Sequence, residues 1–193
     1  DAGALLRARA AFGPELASFP SFPFPHDLEV VVELRERVLR LTMSLTPTTA
    51  QAVPVAFGWH PWFALPDVPR AEWVLTTGLR RQALLDDENV PTGEVVDRAF
   101  PSGPLGDAFM DDVWVDAAAG SEAVLEGGGR RIAVRWMEGY DVAVVFAPTV
   151  MDTVCLEPMT APTDPFRGWW PLRLAEPGET VSGVFEIEVG PSA

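Results

Sequence analysis

The sequence predicts an all-β protein, an antiparallel β-sandwich, and three observations carry that expectation. Apolar and polar side chains alternate with period two over several stretches, which is how a strand reads when one face is buried and the other wet. Turn-forming residues recur roughly every ten positions. No helical stripe of useful length interrupts them, and the 19 prolines and 16 glycines are spread along all 193 residues, so the chain is cut into short segments. A chain of this length fits one domain with a single core.

Along the chain, Asp1 to Ala10 lacks the basic start and apolar centre of a secretory signal. Because the first residue is Asp1, the expectation is one domain over residues 1–193 that forms the C-terminal part of a longer chain. The run Phe19-Pro20-Ser21-Phe22-Pro23-Phe24-Pro25 reads as an edge segment whose aromatics pack across the core. In Asp27 to Arg35, Leu28, Val30, Val32 and Leu34 share one face. In Arg37 to Thr46, Leu39, Leu41, Met43 and Leu45 do the same, so the two form a hairpin turning near Glu36. Ala123 to Glu126 and Arg131 to Met137 form a second hairpin around Gly127-Gly128-Gly129. Asp141 to Ala147 is a further strand, and Val181 to Val189 ends the chain on another.

Composition narrows the partners. The net charge is −14 and all 14 basic residues are Arg, so nothing here would replace the counterions of a nucleic acid or an anionic membrane. No apolar run approaches the roughly 18 residues of a membrane-spanning helix. Cys155 is the single cysteine, lies between Val154 and Leu156, and reads as a small buried hydrophobe, which suits a reducing, cytoplasmic location. Metal-binding spacings, phosphate loops and nucleophile elbows do not occur, so no metal and no cofactor are expected.

Two side chains are candidates for proton transfer. His60 lies in Phe57-Gly58-Trp59-His60-Pro61-Trp62-Phe63, where the flanking rings suit the C–H face of a sugar. Glu157 follows Val154-Cys155-Leu156 and precedes Pro158, a strand end at which desolvation would raise its pKa. Each has a structural alternative: His60 as a packing residue, Glu157 as a surface carboxylate. Asp111 and Asp112 precede Val113 and Trp114, and read either as a turn cap or as acceptors for hydroxyl groups. His26 is assigned no role.

Taken in order, Phe22 to His26, Gly58 to Phe63, Asp111 to Trp114 and Cys155 to Pro162 resemble the aldose 1-epimerase (mutarotase) family. The resemblance implies a galactose-mutarotase-like β-supersandwich that binds a free aldohexose such as glucose or galactose. It implies His60 as the acid on the ring oxygen and Glu157 as the base on the C1 hydroxyl. Asp111 would hold sugar hydroxyls, and Trp62 or Trp114 would stack on the ring. His60 and Glu157 would then face each other across a sugar-sized hollow. The family's N-terminal portion, with an Arg and a second His at the site, has no counterpart before Pro25. Met159 and Asp164-Pro165-Phe166 also depart from the family pattern. A sugar-phosphate epimerase using Arg70, Arg80, Arg81 and Arg167, and a sugar-binding module without turnover, are the alternatives on the same fold. Oligomeric state is left open.

Overall fold

The structure, a computed structural model, describes residues 3–192. In chain order its strands are β1 (Ala4–Phe12), β2 (His26–Arg35), β3 (Val38–Pro47), β4 (Val53–Pro54), β5 (Trp62–Phe63), β6 (Val74–Thr77), β7 (Arg81–Leu85), β8 (Pro91–Asp97), β9 (Gly103–Pro104), β10 (Met110–Trp114), β11 (Glu122–Gly127), β12 (Arg130–Glu138), β13 (Val142–Ala147), β14 (Val154–Met159), β15 (Leu174–Ala175) and β16 (Val181–Pro191). Three single 3₁₀ turns, at Phe19–Ser21, Arg70–Glu72 and Pro165–Arg167, complete the regular structure of the described residues.

Eight strands form one sheet in the order β1-β2-β3-β16-β12-β11-β6-β9. Six form a second, β5-β14-β13-β10-β7-β8, and β4 pairs with β15 in a short ribbon. The paired strands run antiparallel throughout. The two large sheets pack face to face, as a sandwich must when each has one apolar side. Leu41, Leu75, Leu125, Val134, Trp136 and Phe185 come from the first. Trp114, Ala143, Val145, Val154 and Leu156 come from the second, and together they form the main core. A smaller cluster of Leu45, Val53, Val55, Ala175 and Val181 lies at one end, under Phe22 and Phe24.

The expected hairpins are present. Arg35 pairs with Val38, and Glu36 takes the left-handed conformation (φ 52°) at the turn. Two elements differ from the sequence reading. β1 is not expected, because Ala-Leu-Leu-Arg-Ala-Arg-Ala-Ala-Phe shows no alternation; its side chains up to Ala11 are exposed on both faces, and it is held by its ladder to β2, by Arg7 and Arg9 on Glu29, and by Phe12 at its end. Phe19 to Pro25 is a 3₁₀ turn followed by a loop, with no strand pairing. Its rings gather into a cluster in which Phe22 lies 4.9 Å from Phe24 and 6.4 Å from Phe12. The prolines that remove ladder donors explain the correction. His26, at the start of β2, is buried beside Phe12 and donates from Nδ1 to the Phe24 carbonyl at 2.7 Å.

One close approach joins the sheets. β12 carries a register shift between Trp136 and Glu138, and a bulge of this kind redirects the chain. Tyr140 follows it and is buried at 1 % exposure. Its ring rests over Gly183 of β16, where a Cβ would lie 2.5 Å from the ring Cζ. Gly183→Ala therefore overpacks this notch and is expected to cost about 1–3 kcal/mol. The readout is a lower urea midpoint at unchanged m-value; a wild-type midpoint would show that the ring has room to retreat.

Candidate active site

The six-stranded sheet presents its second face away from the main core, and register decides what that face carries. Residues directly opposite on paired strands share a face. Trp62 pairs with Cys155, Cys155 with Phe146 and Phe146 with Asp111, so these four side chains form one row. Glu157, Val144, Val113 and Ala83 form the next. Over the β7, β10 and β13 part of this face lie Leu85, Val95, Trp169 and Trp170, which close a third apolar cluster. Trp62, exposed at 47 %, and Phe109, exposed at 62 %, leave the other part open.

His60 reaches this face through a short ladder. Gly58 bridges to Met159, Trp59 N–H donates to the Pro158 carbonyl at 3.0 Å, and Thr160 N–H donates to the Phe57 carbonyl at 2.9 Å. The Thr160 hydroxyl donates to the Phe57 carbonyl and accepts from the Phe57 N–H, both at 2.9 Å. A side chain at position 58 would drive into the Met159 sulfur and the Pro158 carbonyl, so only glycine permits the approach. Trp59 turns inward, where its indole N–H donates to the Tyr140 hydroxyl at 2.9 Å. With Trp59 pinned inward, His60 is left on the outer side and stacks on Trp62 at 5.3 Å and 20°.

The ladder brings His60 Nε2 within 3.2 Å of Glu157 Oε1. Half of the imidazole is open to solvent while the carboxylate is 7 % exposed. The two groups thus touch directly, where the sequence reading has a hollow between them. Burial, reinforced by the negative charge of Asp111, pushes the Glu157 carboxyl from the ordinary 4.5 up to about 7. Desolvation also raises Asp111. Cys155 is fully buried, and burial with the charge of Glu157 pushes its thiol up to about 12, so it is a neutral thiol near pH 7. Hollows lie elsewhere on the surface, one of about 460 Å³ bounded by Arg37, Ile132 and Val189. Neither His60 nor Glu157 lines it, and a site is marked here by chemistry on an open face.

Of the residues singled out from sequence, His60, Glu157, Trp62 and Asp111 share this face. Trp114 does not. It points to the opposite side, is 1 % exposed and packs on Phe100 at 5.4 Å, so its expected stacking on a ligand is corrected: register turns its ring into the core. Asp112 likewise faces inward and accepts from Gln82 at 2.7 Å. Phe146 and Phe109 were missed; their rings meet edge to face at 6.2 Å, and Phe146 meets Trp62 at 5.8 Å. Nothing local in the sequence distinguishes them from core residues. Of the four guanidinia that a phosphate substrate would call on, Arg81 is exposed on β7 and the other three are engaged elsewhere. Arg70 donates to the Gly106 and Ala108 carbonyls, Arg80 pairs with Asp97, and Arg167 pairs with Asp164.

A search of curated proteins finds no match. Among solved structures, a galactose mutarotase-like protein from Clostridium acetobutylicum superposes with a TM-score of 0.84 at 17% identity, covering 98% of this chain and 63% of that one. A galactose mutarotase related enzyme from Lactobacillus acidophilus gives 0.83 at 14% identity, with 96% and 68% covered. The aldose epimerase homologue from C. elegans gives 0.78 at 16%, with 99% and 66% covered. These likenesses establish the mutarotase-like sandwich fold, and the chain spans about two thirds of the length of these proteins. The family description that matches residues 11–188 is aldose 1-epimerase. With nearly the whole chain matched and the fold in agreement, this protein is a member of the aldose 1-epimerase family.

Proposed function

We propose that this chain carries the site of an aldose 1-epimerase, interconverting the α and β anomers of a free aldohexose by acid–base ring opening. The observation that supports it is the contact of 3.2 Å between a half-exposed imidazole and a buried carboxylate whose pKa lies near 7. Mutarotation needs one proton removed and one delivered, by two groups that reach the same sugar. Glu157 as carboxylate takes the proton of the C1 hydroxyl while protonated His60 gives one to the ring oxygen. The C1–O5 bond breaks, its electron pair goes to O5, and C1 becomes an aldehyde. Rotation about C1–C2 presents the other carbonyl face, and closure with the two roles exchanged gives the opposite anomer. Trp62 offers its exposed ring to the sugar's apolar face, with Phe109 and Phe146 beside it. Asp111 accepts from sugar hydroxyls.

A binding module without turnover is the second reading. The exposed rings of Trp62 and Phe109 favour it, because such a surface can hold a sugar with no proton transfer.

Polarimetry on freshly dissolved α-D-glucose and α-D-galactose separates the two. Wild type is expected to speed the decay of rotation above the buffer rate, and His60→Ala and Glu157→Gln are each expected to lower kcat by about 10²–10⁴-fold. Below pH about 7 the value of kcat/KM should fall roughly tenfold per unit as Glu157 takes up a proton. A wild-type decay equal to buffer leaves only the binding module.

Stability carries the same carboxylate's signature. Its pKa is higher folded, about 7, than in the free side chain, 4.5. The folded state therefore holds more proton between those values. Its stabilising contribution is full below about 4.5 and is lost as pH rises through about 7. Glu157→Gln should flatten the denaturation profile across this window, removing a loss of no more than about 3 kcal/mol. Parallel profiles for variant and wild type would place the titration on another group.

A further inference from the structure

Cys155 lies beside the proposed acid–base pair, which makes no use of it. It stands two residues before Glu157 on β14, so both side chains leave the same face, and its cross-strand partner Trp62 stacks on His60. A ring nitrogen of His60, the sulfur of Cys155 and a carboxylate oxygen of Glu157 all lie within 4.8 Å of one another. Donors bound to one tetrahedral Zn²⁺ at about 2.0–2.3 Å stand roughly 3.3–3.7 Å apart. The nitrogen-to-oxygen distance of 3.2 Å already fits that spacing. The sulfur has on the order of 1 Å to close, within reach of a side-chain rotation.

One nitrogen, one sulfur and one oxygen make a borderline-soft donor set, which suits Zn²⁺ better than Mg²⁺ or Ca²⁺. All three donors come from one side, so the fourth position faces the open part of the sheet, where water would complete the tetrahedron. We propose that His60, Cys155 and Glu157 form a Zn²⁺-binding site that, when filled, silences the acid–base pair. Coordination releases to solvent the thiol proton and any proton held by the ligating atoms of His60 and Glu157, and it occupies the lone pairs that proton transfer requires. Zn²⁺ and sugar therefore exclude each other. The binding half rests on the donor geometry alone, while the silencing half rests on the acid–base reading above.

The test uses the purified chain in a non-coordinating buffer. Calorimetric titration with ZnCl₂ should show one tight ion per chain. Titration with Co²⁺, as a spectroscopic stand-in, should give a thiolate-to-metal charge-transfer band. Cys155→Ser should lose that band and bind Zn²⁺ about a hundredfold more weakly. His60→Ala, at an exposed position that the core does not need, should weaken binding by a similar factor. Thermal melts of both variants without metal check that they are folded. Equal Zn²⁺ affinity in wild type and both variants, or Co²⁺ binding without the thiolate band, would mean that scattered surface carboxylates hold the ion, and overturns the site. A wild-type chain that binds Zn²⁺ through the thiolate yet keeps its full mutarotation rate overturns the silencing and the acid–base assignment, and leaves the metal site standing.

Discussion

The ladder between residues 57–60 and 158–160 is the constraint on which the rest of the site depends. A histidine on a loop has many positions open to it, and ordering one costs free energy. Here two backbone hydrogen bonds and a threonine hydroxyl that both accepts and donates fix the segment. A glycine permits the close approach, and an inward indole decides which way the next side chain faces. The contact between His60 and Glu157 follows from main-chain geometry.

Burial is the second determinant. The carboxylate of Glu157 lies on a face whose other members are Val113, Val144, Cys155 and Phe146, with Asp111 adding a like charge. An acid in such surroundings keeps its proton to higher pH than one in water. The same strand alternation that builds the sandwich core on one side thus sets a buried carboxylate beside an imidazole on the other. A fold made of period-two strands obtains both from one pattern.

Much of this was legible in the sequence. Alternation in Asp27 to Arg35, Arg37 to Thr46 and Val181 to Val189 located the central strands, because each has one apolar face to bury. The Pro-flanked segments around His60 and Glu157 were visible through their turn residues and through resemblance to a family. Trp114 is misread although it stands three residues after Asp111, an odd spacing that sends the two side chains to opposite faces of one strand. Exposed β1 escaped notice since a strand with neither face buried leaves no period in its side chains. Phe146 lies on the open face through pairings that no single segment encodes, and Phe109, just before β10, meets it edge to face.

Tyr140 serves two masters. Its ring fills the notch over Gly183 in the eight-stranded sheet, and its hydroxyl holds the indole next to His60. Sequence drift that loosens that distant sheet reaches the imidazole within one residue of the indole, whereas the lip formed by Trp62 and Phe109 can change without disturbing the interior. The molecule divides into a rim free to diverge and a frame that is not. A change at the rim leaves the interior in place, whereas a change at Gly183 or Tyr140 is felt where His60 meets Glu157.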